Sequence, residues 1–243
     1  MVGILLVSVF LVATCGLVYE LVAGALASYL LGDSVLQFST IIGTYLFAMG
    51  VGSYVAKWVE RGLLMVFVQV QILVGLIGGT SATILFFVFS YGAAFRPVLY
   101  GLVFTIGMLV GLEIPLLLRI LKEHLSFRDL VSQVLALDYV GGLAASLLFP
   151  LFLVPHLGLM RTSFMFGMIN VAIALIFCLK FQKEGRWGGL VAESIVVLIL
   201  LAAGFIGTDY LTEKAEEALY PAPVVMSEQT PYQKLAITKD RLE

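Results

Sequence analysis

Three carboxylates in this chain stand where carboxylates are costly. Glu20, Glu113 and Asp138 each interrupt a long apolar run. At the centre of a membrane-spanning helix a charge costs about 2.5–3.5 kcal/mol on insertion scales, so each needs a proton, a partner or water. Tyr19 adjoins Glu20 and Tyr139 adjoins Asp138, while Gln69, Gln71, Gln133 and Asn170 offer amide groups. Separated carboxylates with aromatic walls suit an elongated cation, or the carriage of a proton. The same residues can instead only fix packing, protonated or hydrogen-bonded to neighbouring helices. Pro115, two residues after Glu113, lacks an N–H and loosens the helix there. Arg119 lies nearly two turns beyond Glu113, so it is expected to reach the interface rather than neutralise that carboxylate. Glu193, near the start of the last apolar run, reads as interfacial.

Other chemistries find no support. His124 and His156 have no second His or Cys at ligand spacing, so no metal site is expected. Cys15 and Cys178 sit in apolar runs and read as small packing residues. No Gly-x-Ser-x-Gly elbow and no Gly-rich phosphate loop occurs, so no catalytic residue and no cofactor is assigned. A net charge of −2 without a basic run argues against nucleic acid.

The elements that must position these groups follow from composition. The chain is 61% hydrophobic and only 12% charged, with a mean hydropathy of +1.07. Soluble domains are nearer half apolar and a quarter charged. The expected fold is therefore all-α and integral to a bilayer, with about seven transmembrane helices followed by the start of a small β-strand region. The spans read Ile4–Leu31, Val35–Val59, Leu63–Tyr91, Val98–Leu121, Leu130–Val154, Leu159–Leu179 and Leu190–Tyr210. Ala25-Leu26-Ala27 resembles a cleavage site, but no Lys or Arg precedes it, and the first run is read as a retained span. Lys57, Arg61, Arg119, Lys122, Arg128, Lys180, Lys183 and Arg186 fall in the even-numbered connections, against Arg96 and Arg161 in the odd ones. That bias predicts a cytoplasmic N-terminus. With seven spans, the tail from Leu211 then falls on the other side. Glycines punctuate spans two to five and predict close helix packing. Gly16 with Glu20 faintly echoes Gly111 with Glu113, which suggests two inverted three-helix repeats.

The tail differs from all that precedes it. Thr212–Leu219 reads as a short charged helix, ended by Pro221 and Pro223. Two strand-like runs follow, Val224–Met226 and Lys234–Thr238, with a Thr230-Pro231 turn between. The chain thus divides into a polytopic helical domain, 1–210, and a segment 211–243 that begins a soluble domain. The core Glu228–Lys234, EQTPYQK, resembles the opening strands of a spermidine synthase, a polyamine aminopropyltransferase. The apolar part resembles the multi-pass membrane domain of some bacterial members, through Cys15–Ser39, Gly111–Arg119, Asp129–Leu143 and Pro155–Thr162.

The resemblance implies an activity that moves an aminopropyl group from decarboxylated S-adenosylmethionine to putrescine, after a carboxylate takes the amine's proton. It implies a role for Gln233, at the rim of the nucleoside site. It implies a bacterial inner membrane location, and pairing as a homodimer or with other membrane subunits. The family's nucleotide loop and acidic proton-abstracting site are not found here, so the chain is expected to lack the catalytic core. Two other readings stand beside this one: a non-catalytic subunit that assembles with other membrane proteins, and a small cation or polyamine transporter.

Overall fold

The computed structural model describes residues 2–92, 94–122, 126–181, 187–219, 224–229 and 234–238. It forms eight helices, α1 (Val2–Leu31), α2 (Ser34–Val55), α3 (Leu63–Ser90), α4 (Phe95–Leu121), α5 (Phe127–Leu148), α6 (Val154–Phe181), α7 (Gly188–Ile206) and α8 (Thr208–Leu219), and then strands β1 (Val224–Gln229) and β2 (Lys234–Thr238). Residues Ala56–Trp58 tighten into a 3₁₀ turn after α2, and Phe149–Leu153 widens into a π turn between α5 and α6.

Local chemistry sets the helix ends. Gly32 (φ 70°) and Asp33 (φ 46°) turn the chain after α1, and the Asp33 carboxylate then accepts from the Leu36 N–H at 3.1 Å, capping α2. Gly62 and Gly92 hold positive φ at the next two reversals. Ser126 caps α5, accepting from the Asp129 N–H and donating its hydroxyl to the Asp129 carboxylate at 2.6 Å.

Among the described residues, six helical stretches are long and apolar enough to cross a membrane, by length and composition. Seven spans were expected, and the difference lies at the fifth and sixth. These join into one stretch, Arg128–Phe181, because helical turns continue through Pro150 and Pro155. Straight, 54 residues would run about 80 Å at 1.5 Å per residue, far beyond a ~30 Å hydrocarbon core. The chain bends instead at Gly158, whose φ of 73° and ψ of 178° only glycine adopts readily. Both parts then return to α1. Gly141 on α5 lies against the Phe10 carbonyl, and Ile173 and Phe177 on α6 share an apolar groove with Ile4 and Ser8.

Contacts fix which helix ends lie together. The end of α4 meets the end of α2, through Arg119 Nη1 donating to the Ala56 carbonyl at 3.1 Å. The starts of α3 and α7 meet through Gln69 and Glu193, and Phe67 on α3 stacks edge-on with Phe177 near the end of α6. This end carries Lys57, Arg61, Arg119, Lys122, Arg128 and Lys180 among the described residues. At the opposite end, Tyr100 reaches Thr40, and Arg161 pairs with Asp209 at the start of α8. The chain start and the tail therefore lie at opposite ends of the bundle, the start at the basic one.

The packing partners also exchange between the two halves. Helix α2 packs along α4 while α5 packs along α1; α3 meets α4 while α6 meets α1; α3 and α6 pack on each other. Swapping α1–α3 for α4–α6 reproduces this pattern, with α1 and α4 running in opposite directions, as two inverted repeats require.

Helix α8 starts at Thr208, a turn before the charged helix expected from Thr212. The strands pair antiparallel, from Gln229↔Lys234 outward to Val224↔Thr238, with an irregularity between Val224 and Met226. The Thr230-Pro231 turn and Gln233 lie outside the described residues.

Candidate functional site

Helix α4 is drawn against α2 by glycines that leave backbone facing backbone. Gly111 lies on the Met49 backbone and Gly52 on the Met108 carbonyl. Pro115 has no N–H to bond the carbonyl four residues back, which is that of Gly111. Ser53 Oγ on α2 supplies the missing donor, reaching the Gly111 carbonyl at 2.9 Å. The same stretch of α4 turns Glu113 inward.

Glu113 is 1% exposed. One of its oxygens accepts from Gln71 Nε2 on α3 at 2.7 Å. The other, Oε2, has no partner, and neither has Gln71 Oε1. Among the described residues no ion pair forms to Glu113, Glu20 or Asp138. Arg119 turns away to the Ala56 carbonyl, as the spacing predicts.

One turn beyond Gln71, α3 meets α6. A side chain at Gly75 would meet the Gly167 carbonyl at 2.7 Å and Asn170 Cβ at 3.4 Å. Asn170, fully buried, donates Nδ2 to the Tyr19 hydroxyl on α1 at 2.7 Å, while its Oδ1 has no partner. The Tyr19 ring fills the space that Gly78 leaves open, and Ser163 Oγ donates to the Gly78 carbonyl at 2.6 Å. From α2, Tyr45 donates its hydroxyl to the Gly16 carbonyl at 2.8 Å. Cys15, Tyr19 and Tyr45 all lie within electrostatic range of Glu113. Four helices, α1, α3, α4 and α6, thus enclose one buried polar seam, with α2 closing a side.

The sequence-derived set is divided by the structure. Glu113 and Tyr19 are central. Glu20 is buried at 8% exposure and lies within range of Tyr45. Asp138 is half-buried at the margin, within range of Glu113. Tyr139 is a correction: it is 72% exposed and points away, so it walls no site. On α5 the residue that faces α1 is Gly141, and a neighbour two positions back lies on another face of the helix. Gln71 and Asn170 are drawn in, whereas Gln133 is exposed and Gln69 pairs with Glu193 at 2.8 Å. Tyr45 carries no signal in the sequence, since nothing in its neighbours distinguishes it from other tyrosines in apolar runs.

Gln233 and His124 lie outside the described residues. His156 is exposed, stacked on Phe152 and bonded to its carbonyl at 2.9 Å. No group of three His, Cys, Asp or Glu among the described residues is placed to hold a metal ion.

No protein-family model and no solved structure matches the chain. Curated relatives do. It is 51% identical, over 97% of its length, to 47% of a polyamine aminopropyltransferase from Leptospira interrogans. It is 52% identical, over 98% of its length, to 48% of polyamine aminopropyltransferase 2 from Ralstonia nicotianae. A more distant relative, polyamine aminopropyltransferase 1 from Streptomyces coelicolor, is 37% identical over 97% of the chain and 46% of its own length. The chain spans about half the length of the curated relatives it matches. These relatives support the family that the motifs suggested.

Proposed function

We propose that this chain is the membrane-embedded half of a polyamine aminopropyltransferase. The observation that carries this is the 51% identity sustained over 97% of the chain to a relative of that name, across a sequence dominated by long apolar helices. Backbone polar groups in hydrocarbon must be bonded within the segment, and helices α1–α7, of 19–30 residues each, do so. The location proposed is a bacterial inner membrane, with the basic end of the bundle on the cytoplasmic side.

In this reading α1–α7 anchor the enzyme, and α8 with the β1–β2 hairpin leads to the part that performs the transfer. A hairpin alone is marginal in water, so it gains stability from further strands or a packed partner. The transfer is a displacement in which the lone pair of a neutral acceptor amine attacks the aminopropyl carbon bonded to the sulfonium sulfur of decarboxylated S-adenosylmethionine; the C–N bond forms as the C–S bond breaks, the neutral thioether nucleoside leaves with the electron pair, and the surplus amine proton passes to a carboxylate base. Its groups belong, in this proposal, to the half of the longer relatives that this chain does not match.

The test has two readouts. The protein should stay with the membrane pellet through an alkaline wash, and deletion of its coding sequence should remove aminopropyl transfer to putrescine from the membrane fraction. A protein released by the wash, or a deletion strain with unchanged membrane-bound transfer, would overturn the reading.

A further inference from the structure

Three acceptor atoms in the seam around Glu113 have no hydrogen-bond partner. Five buried side-chain atoms among the described residues lack a partner, and three of them, Gln71 Oε1, Glu113 Oε2 and Asn170 Oδ1, belong to this seam. All three side chains are at most 1% exposed. Burying a polar atom without its hydrogen bond is unfavourable, and burying an unpaired charge more so. The orientation of Gln71 is dictated by chemistry, since only its NH₂ can face a carboxylate that accepts. Its oxygen must then look elsewhere for a donor.

From these vacant acceptors we propose that Glu113, Gln71 and Asn170 bind the primary ammonium group of an aliphatic amine. An –NH₃⁺ group brings one positive charge and three donors with no acceptor. The seam offers three vacant acceptor atoms, one of them on the Glu113 carboxylate. Water brings only two donors. A divalent metal wants six or more oxygens or several carboxylates, and no such group is present among the described residues. The Tyr19 ring, buried beside Asn170, provides an aromatic wall for the amine's carbon chain. The seam also lies where the inverted halves meet, Tyr19 and Gln71 from one and Glu113 and Asn170 from the other, the place where repeat-built membrane proteins bind their ligands. Glu20 and Asp138, each set apart from Glu113, supply the second charge that a diamine needs.

The geometry of the seam carries the site; the choice of an amine also draws on the aminopropyltransferase reading. Calorimetric titration of the purified protein in detergent with 1,4-diaminobutane tests it. The wild-type protein should bind, and Glu113→Gln should bind at least roughly thirtyfold more weakly, as the loss of a charged partner in a buried site requires. Tetramethylammonium, which has the charge but no N–H, should neither bind nor compete. Sodium at equal concentration should not compete either. If Glu113→Gln fails to fold, Asn170→Ala must weaken binding instead. Absence of binding to the wild type, equal binding by a folded variant, or competition by sodium or tetramethylammonium would overturn the site. Binding that fails while membrane-bound transfer persists sinks only this site. Binding that holds while transfer is absent sinks only the enzyme reading.

Discussion

The crossing of α2 and α4 makes a prediction whose size can be worked out. Gly111→Ala would put a Cβ 2.6 Å from Met49 Cα, and closer still to the Met49 carbonyl oxygen. Relaxed carbon–carbon contacts lie near 3.5–4.0 Å, so the helices must part by about 1 Å. No rotamer relieves this, because the obstacle is backbone. Overpacking of this kind costs about 1–3 kcal/mol. Parting the helices also stretches the 2.9 Å bond from Ser53 to the Gly111 carbonyl, which Pro115 has already deprived of its helical donor. That adds about 1 kcal/mol. Against both stands about 1 kcal/mol gained by replacing a helical glycine with alanine. The net is a loss of about 1–3 kcal/mol. Gly43 and Gly101, on the same two helices, have nothing within 4 Å of the added Cβ, so Ala there should be neutral or stabilising by up to about 1 kcal/mol. Reversible unfolding in mixed micelles would measure all three variants. Gly111→Ala as stable as Gly43→Ala would refute the crossing.

Three further outcomes follow from named contacts. Gln71→Leu leaves Glu113 buried with no donor and should cost about 3 kcal/mol, while the double change Gln71→Leu, Glu113→Leu should recover part of that loss; a double-mutant cycle on unfolding free energy checks the sign. Gly158→Ala forces an L-residue to φ 73° and ψ 178° and should cost about 1–3 kcal/mol, read by the same unfolding assay; an unchanged midpoint would mean the chain does not bend there. Cysteines introduced by Glu60→Cys and Glu213→Cys should label from opposite sides of sealed vesicles with an impermeant maleimide, because the native Cys15 and Cys178 are buried and stay silent; labelling of both from one side contradicts the arrangement of helix ends.

What the sequence revealed and what it hid have separate physical causes. Helix existence was plain, since apolar runs of this length have few alternatives, and Gly32, Gly62 and Gly92 mark reversals that need positive φ. The junction of the fifth and sixth spans, expected between Val154 and Leu159, does hold the bend, but its form is not legible, because helical turns run through both Pro150 and Pro155. A π turn carries the helix past the first, and the real bend falls at Gly158. Glu113 was visible because a carboxylate among Leu, Ile and Gly is conspicuous wherever its helix points. Tyr19 and Tyr139 were not separable in that way. Both adjoin a carboxylate, yet one is 1% and the other 72% exposed. Helix phase decides between them, and phase is read from an apolar stripe against a polar one. Helix α1 is apolar on almost every face, so its sequence has no stripe to read.

The faint echo between the two halves bears on arrangement rather than on phase. If α1–α3 and α4–α6 are inverted copies, a residue on one helix has a counterpart facing it across the shared axis. The exchange of partners, α2 with α4 and α5 with α1, is the packing such copies produce. A glycine opens each of these crossings: Gly52 of α2 meets the α4 backbone at Met108, and Gly141 of α5 meets the α1 backbone at Phe10. The halves differ in what each crossing holds. At the α2–α4 crossing Pro115 and Ser53 redirect a carbonyl, whereas at the α1–α5 crossing Thr14 Oγ1 reaches the Gly141 carbonyl at 3.3 Å without any proline. The polar seam is therefore asymmetric within a symmetric frame, with Glu113 on one side and Tyr19 on the other.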